Sequence, residues 1–261
     1  MNKPICIAIE GVDCAGKGTA AKRVVKKLKA LHPDKKIQLV SFPQYELASG
    51  VLIKKFLNGD YKDLVIKPKN NSGFNLDGIV NVINNVNFAA SLYEVNRAEY
   101  FHLNPPDDET IYVFDRYVYS NLTHQLGRIY NIITEIDDIK KEKDLEKRNV
   151  EISHLFRPLY NALSEKWLSN EYYFSGIPIA TTIYLDIDIE EAMSRLALRK
   201  ANKHEGGDIL ETRENMTAAV EFIRWMKKHI RKENLKFMEV PRHNLIDDIV
   251  NVVEEMIKKE E

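Results

Sequence analysis

Residues Glu10–Thr19 read Glu-Gly-Val-Asp-Cys-Ala-Gly-Lys-Gly-Thr and follow directly on the apolar run Ile5–Ile9. The run suits a short buried strand, and the amphipathic stretch behind the loop, Ala20–Leu31, suits a helix. Strand, Gly-x-x-x-x-Gly-Lys loop and helix in that order make a phosphate-binding P-loop. Gly11 and Gly16 allow the tight turn that points backbone N–H groups inward, with Cys14 and Ala15 on the same turn. Lys17 adds positive charge for β and γ phosphates, and the helix from about Gly18 aims its positive dipole end at them. The stretch therefore predicts nucleoside triphosphate binding, with an ordinary Gly-rich βα turn as the competing reading.

Working outward, further apolar runs read as parallel strands: Ile37–Phe42, Ile111–Phe114, Thr182–Leu185 and, more weakly, Leu235–Val240. Amphipathic stretches alternate with them: Gly50–Leu57, Ile79–Phe101, Ser120–Tyr130, Glu190–Lys200, Arg213–Lys232 and Leu245–Lys259. This alternation predicts a single α/β domain over 1–261, a doubly wound, five-stranded parallel sheet of P-loop NTPase type flanked by helices. Ligands of such sheets bind at the carboxyl ends of the strands. Lys62–Asn75 reads as a surface loop, and the mixed charges of Glu135–Glu151 read as a solvated helix or mobile insertion.

Composition narrows the class. Lys and Arg number 38 against 39 Asp and Glu, a net charge of −1, so no general affinity for nucleic acid or membrane is expected. Two cysteines, Cys6 and Cys14, cannot build a disulfide framework, and reduced thiols in a cytoplasmic setting are the expectation. Cys14 could act as a nucleophile only if the P-loop dipole lowered its pKa. The short, singly charged N-terminus predicts neither a signal peptide nor a membrane span.

Two features refine the chemistry. Gly18 stands where most P-loops carry a hydroxyl ligand to Mg2+, and Thr19 supplies one a residue later, as a weak metal candidate. The Gly-Lys-Gly-Thr form resembles adenylate kinase and its relatives. After the third strand come Asp115-Arg116-Tyr117, then Ser120, Asn121 and Gln125. An Asp closing a strand beside a P-loop can hold Mg2+ through water, and the Arg can contact a phosphate, although an Asp–Arg ion pair at the sheet edge would give the same sequence.

Together, the Glu-Gly-Val-Asp-x-x-Gly-Lys loop, Phe42-Pro43, Asn96-Arg97 and Asp-Arg-Tyr-x-x-Ser-x-x-x-x-Gln resemble the thymidylate kinase family, in order from about Pro4 to Arg213. The resemblance implies that Asp13 meets the sugar and phosphate of a monophosphate. It implies that Phe42, with Tyr45 beyond it, shapes the pocket, that Tyr93 stacks on the base, and that Arg97 bonds the base edge. Arg116 would hold the monophosphate, with Tyr117, Ser120, Asn121 and Gln125 around sugar and base. Tyr93 and Arg97 are four apart and so share one side of a helix, which suits a flat heterocycle.

Arg195 and Arg199, with Lys200, Lys203, Gly206-Gly207 and Arg213 after them, resemble the mobile lid of nucleoside monophosphate kinases, here about 199–212; a solvated basic helix face is the plainer reading. Asp208 or Glu211 could anchor it through an arginine. The resemblance further implies ATP and Mg2+ as cofactors, with Cys14 in place of a P-loop arginine and the lid arginines correspondingly important. It implies dTMP as acceptor, giving dTDP for dTTP synthesis, and a homodimer paired through Ile79–Phe101. Gln44 and Tyr45 follow Phe42-Pro43 where relatives carry an arginine, and the insertion, about 128–176, is long for the family. His124, often aromatic in relatives, reads as pocket packing. Another monophosphate or a deoxynucleoside as acceptor, or a catalytically silent nucleotide-binding protein, are the rival readings.

Overall fold

The computed structural model describes residues 4–61, 76–177, 180–203 and 211–260. In chain order these are β1 (Ile5–Gly11), α1 (Lys17–Leu31), β2 (Lys36–Ser41), α2 (Ala48–Leu57), α3 (Leu76–Leu103), β3 (Thr110–Asp115) and α4 (Val118–Asn121). A π-helical turn, Leu122–Leu126, leads into α5 (Gly127–Thr134), α6 (Asp137–Lys141), α7 (Leu145–Ser175), β4 (Thr181–Ile187), α8 (Ile189–Lys203), α9 (Arg213–His229), β5 (Leu235–Val240) and α10 (Leu245–Glu260). The expected loop Lys62–Asn75 and the Gly206-Gly207 hinge with Asp208 lie outside the described residues.

All five strands are parallel, in the order β2-β3-β1-β4-β5. β1 is central and buried from Cys6 to Gly11, which explains why its sequence is continuous apolar rather than alternating. From β1 the chain crosses over β3 to reach β2, then from β3 crosses over β1 to reach β4. The order thus reverses between β1 and β3, and a crevice opens at their carboxyl ends. Ile9 pairs with Asp115 in that ladder, so the P-loop and the Asp115-Arg116-Tyr117 turn leave the sheet side by side.

Of the two sequence readings of the charged run Glu135–Glu151, the structure shows the solvated helix: its described residues are mostly exposed, and its last part opens the 31-residue helix α7. Asp144 caps that helix by accepting from the N–H groups of Glu146 and Lys147 at 2.9 and 3.2 Å. Beyond the charged run, Ile152, Phe156, Tyr160, Leu163 and Trp167 recur at helical spacing and are buried. Phe156 meets Trp225 of α9 and Tyr130 of α5 edge-on, at centroid distances of 4.7 and 5.2 Å. The apolar stripe starts where the charge run ends, and window composition averaged the two. The expected helix Ser120–Tyr130 is likewise interrupted by the π-helical turn, an irregularity that tends to mark functional sites.

Candidate active site

Two groups of side chains meet in the crevice between β1 and β3, one on each side of Asp13. On the first side lies the P-loop. Gly16 adopts φ +94°, in the left-handed region, as the N-cap of α1. Lys17 is buried and turned onto its own loop, its Nζ donating to the carbonyls of Gly11 at 2.9 Å and Val12 at 2.7 Å. Burial, with the positive charge of Arg116, lowers its pKa to about 8 against the pull of Asp13, Glu10 and Asp115. Arg195 of α8 stands over the loop, with Nη1 3.4 Å from the Cys14 carbonyl. Arg199, one turn on, pairs with Glu211, which also faces Lys200 at 3.9 Å. Glu211 thus anchors the expected lid arginine, whereas Arg213 turns away onto Glu190 through two bonds of 2.7 Å.

Gly18 has a tertiary explanation that its sequence position hides. A Cβ built there would lie 2.8 Å from Oδ2 of Asp115. The carboxylate occupies the space that a hydroxyl side chain would need, immediately beside the phosphate loop. Among the described residues no three His, Cys, Asp or Glu side chains gather as a metal cluster. Asp115 fits a Mg2+ ion held otherwise by phosphates and water. Thr19 is exposed on α1.

On the second side is a cleft open to solvent, lined by Asp13, Phe42, Pro43, Tyr45, Leu57, Tyr93, Arg97, Arg116, Tyr117, Ser120, Asn121, His124 and Gln125. All ten residues expected around a monophosphate lie in this one wall, drawn from β1, β2, α3, β3 and α4 with their adjoining turns. Arg116 is the hinge between the two sides. Its Nη2 donates to Asp13 Oδ1 at 2.7 Å, so its ion pair is with the P-loop and not with its neighbour Asp115. Burial alone would raise the Asp13 pKa, but Arg116 and Lys17 outweigh it and hold the carboxyl well below the usual range. Arg116 and Cys14 both take left-handed backbone angles, φ +66° and +63°, unusual for residues with a Cβ.

The condition under which Cys14 could act as a nucleophile, a lowered pKa, is not met. Partial burial, with Asp13 and Glu211 adding to it, raises the thiol pKa in spite of Arg199 and Lys17. The thiol is therefore protonated at neutral pH and is no activated nucleophile.

Four residues support the site although the sequence assigned them no role in it. Glu10, fully buried at the end of β1, accepts from the N–H groups of Tyr117 at 2.7 Å and Ser120 at 3.1 Å and from the Ser120 hydroxyl. Burial raises its pKa. It locks the turn that carries Arg116, and the Ser120 hydroxyl, bound to it, faces the strand. A carboxylate within an apolar strand was the available signal. Asn96 clamps the segment after Phe42-Pro43 from both sides, bonding Gln44 N at 2.7 Å and Gln44 O at 2.9 Å. Glu171 of α7 accepts from Arg97 Nε at 2.7 Å, both side chains being 3% exposed. Nothing in the sequence marks it. Arg128 donates to Gln125 Oε1 at 3.2 Å. Around these, the Tyr117 ring stacks on Phe114 at 4.4 Å, and the Arg97 guanidinium sits 5.9 Å from its centroid. Asn121 donates to the Ala90 carbonyl of α3 at 3.0 Å, tying that wall together. His124 is held neutral, its pKa pushed down to about 4 by burial and by Arg116 and Lys17 against Asp13.

No protein-family model matches the chain, and no curated protein matches it in sequence. Among solved structures it shares the fold of a P-loop kinase. A thymidylate kinase from Candida albicans superposes with a TM-score of 0.56 over 99% of this chain and 93% of its own, at 19% identity. That kinase is described for its broad substrate specificity and a novel structural element.

Proposed function

We propose that the protein transfers the γ-phosphoryl group of Mg-ATP to a nucleoside monophosphate, with dTMP as the leading acceptor. The observation that carries this reading is the Asp13–Arg116 pair, which joins a P-loop to a second pocket lined by aromatic and guanidinium groups. A P-loop alone would suit any nucleotide binder. A second anion site one side chain away suits transfer between two phosphates.

In this mechanism Lys17 leaves its loop carbonyls for the β and γ phosphates, joined by the loop amides and by Arg195 and Arg199. A Mg2+ ion, when bound, would neutralise phosphate charge near Asp115. Arg116 aligns the acceptor phosphate, and Asp13 fixes Arg116 and meets the sugar. An acceptor phosphate oxygen, already ionised at neutral pH, attacks the γ-phosphorus while the bond to the bridging oxygen of ADP breaks. No protein base is required, which agrees with a neutral His124 and a fully ionised Asp13. Tyr93, Phe42 and Tyr117 supply apolar faces for the base, and Arg97 and Gln125 supply donors.

Homodimerisation through α3 is part of the proposal, and α3 carries the exposed apolar side chains Val95 and Leu103. Among the described residues no helix is long and apolar enough to cross a membrane, and a cytoplasmic setting remains part of the proposal.

The test is ADP release from Mg-ATP with a panel of nucleoside monophosphates, with Lys17→Ala and Arg97→Ala as controls. Turnover with dTMP that Arg97→Ala weakens selectively upholds both reaction and acceptor. Preference for another monophosphate retires dTMP alone. ATP binding without turnover on any acceptor overturns the kinase reading.

A further inference from the structure

Arg97 and Gln125 stand in the same wall of the second pocket, 3% and 1% exposed. Each keeps one buried nitrogen without a hydrogen-bond partner, Nη2 of Arg97 and Nε2 of Gln125. Both unpartnered atoms are donors, and the Gln125 oxygen accepts from Arg128 at 3.2 Å. Buried donors left unpaired are costly, so two of them in one pocket wall point to a ligand that completes them.

What fixes their direction differs. The guanidinium is a planar fork, so holding Nε in one place leaves the Nη groups little freedom. Glu171 holds Nε at 2.7 Å, and the Tyr117 ring, 5.9 Å from the guanidinium carbon, limits rotation of the plane. Glu171 does not line the pocket itself. It reaches Arg97 from α7, in the insertion to which the chain's chemistry otherwise gives no task. Glu94, one turn before Arg97 on α3, is a second buried carboxylate, but its pairing differs, since no bond joins it to Arg97 Nε.

We propose that Glu171 is a specificity-determining positioning residue, by which α7 holds Arg97 so that Arg97 and Gln125 together present two donors to the acceptor base. Converging on one exocyclic position, the two donors fit a carbonyl oxygen with its two lone pairs, as at C4 of thymine and uracil or C6 of guanine. They disfavour the amino group that cytosine or adenine carries at that position. The inference rests on the monophosphate kinase reading.

The experiment compares wild type, Glu171→Gln, Arg97→Ala and the double variant with dTMP and dCMP as acceptors. Glutamine keeps the size and the accepting oxygen but removes the charge, so the fold is retained and a charge-assisted bond becomes a neutral one. Glu171→Gln is expected to raise the KM for dTMP about tenfold and to lower the dTMP-over-dCMP ratio of kcat/KM by about the same factor. The KM for ATP and the kcat at saturating dTMP should stay within about threefold, the pattern of lost ground-state binding. The double variant should discriminate no worse than Arg97→Ala, because Glu171 acts through Arg97. An unchanged dTMP KM and ratio in Glu171→Gln would overturn the proposal. So would a joint decline of kcat and both KM values, the mark of a structural role, or a double variant clearly less selective than Arg97→Ala. If wild type turns over neither acceptor, dTMP is retired as the acceptor, and calorimetric binding of dTMP and dCMP decides the role of Glu171 separately. Discrimination lost in Glu171→Gln would uphold it, and equal or absent binding by wild type would overturn it.

Discussion

Arg116 donates from Nη2 to Oδ1 of Asp13 at 2.7 Å, and this bond joins the turn after β3 to the middle of the P-loop. It brings a guanidinium between the P-loop and the second pocket, on a residue whose backbone is held at φ +66°. The strain is maintained by Glu10, which binds the N–H groups of Tyr117 and Ser120 beyond the turn. An arginine constrained at both backbone and side chain is preorganised to align an anion.

Asp13→Asn should therefore lower kcat/KM for the acceptor about 100-fold while leaving the Kd for ATP within about threefold, since alignment and not nucleotide binding is lost. Steady-state kinetics with Asp13→Asn, Arg116→Ala and the double variant check this. A coupling of about 2 kcal/mol is expected between the two, and additive losses would mean that the bond has no role in turnover.

Lys17 predicts a pH signature. Its folded pKa of about 8 lies below the ordinary 10.5, so the charged form is disfavoured in the free protein. That penalty is present below about pH 8 and fades as the pH rises toward 10.5. Phosphates favour the charged form again. ATP binding above pH 8 should accordingly take up a proton, with affinity falling by up to about tenfold per pH unit. Calorimetry in buffers of differing ionisation enthalpy measures the uptake, and Lys17→Met should abolish it.

Gly18 predicts a metal-linked defect. An alanine Cβ would come within 2.8 Å of Asp115 Oδ2, displacing the carboxylate from the phosphate loop. Gly18→Ala is expected to cut turnover about tenfold at submillimolar Mg2+ and to recover in part as Mg2+ is raised. A variant with wild-type Mg2+ dependence would separate Asp115 from the metal.

Cys14 predicts tolerance. Its φ of +63° suits glycine better than a residue with a Cβ, and its thiol is protonated at neutral pH. Cys14→Gly should keep turnover within about threefold and melt no lower than wild type, because relieved strain offsets the extra freedom of the unfolded chain. A loss beyond tenfold would restore a chemical role to the thiol.

Helix α7 predicts a stability effect far from the chemistry. Phe156 is fully buried between α5 and α9, and Phe156→Ala should destabilise the fold by about 3–5 kcal/mol. Denaturant unfolding measures it. An effect under about 1 kcal/mol would mean that the insertion unfolds apart from the core.

The sequence by itself determined the P-loop, the alternation of strands and helices and most of the residues that the fold gathers around the P-loop and the adjoining cleft. These signals are local: glycines at a tight turn, a lysine at a helix start, apolar runs of strand length, and short motifs at the carboxyl ends of strands. The helix of the insertion was legible only in part, because the charges at its beginning masked the apolar stripe from Ile152 to Trp167. What only the tertiary structure decided were the pairings between distant segments. Arg116 pairs with Asp13 across 103 residues, Glu171 with Arg97 across 74, and the Asp115 carboxylate fills the space over Gly18. Each depends on strand register and helix docking, which local periodicity does not encode, and each places a charge where burial makes it strong.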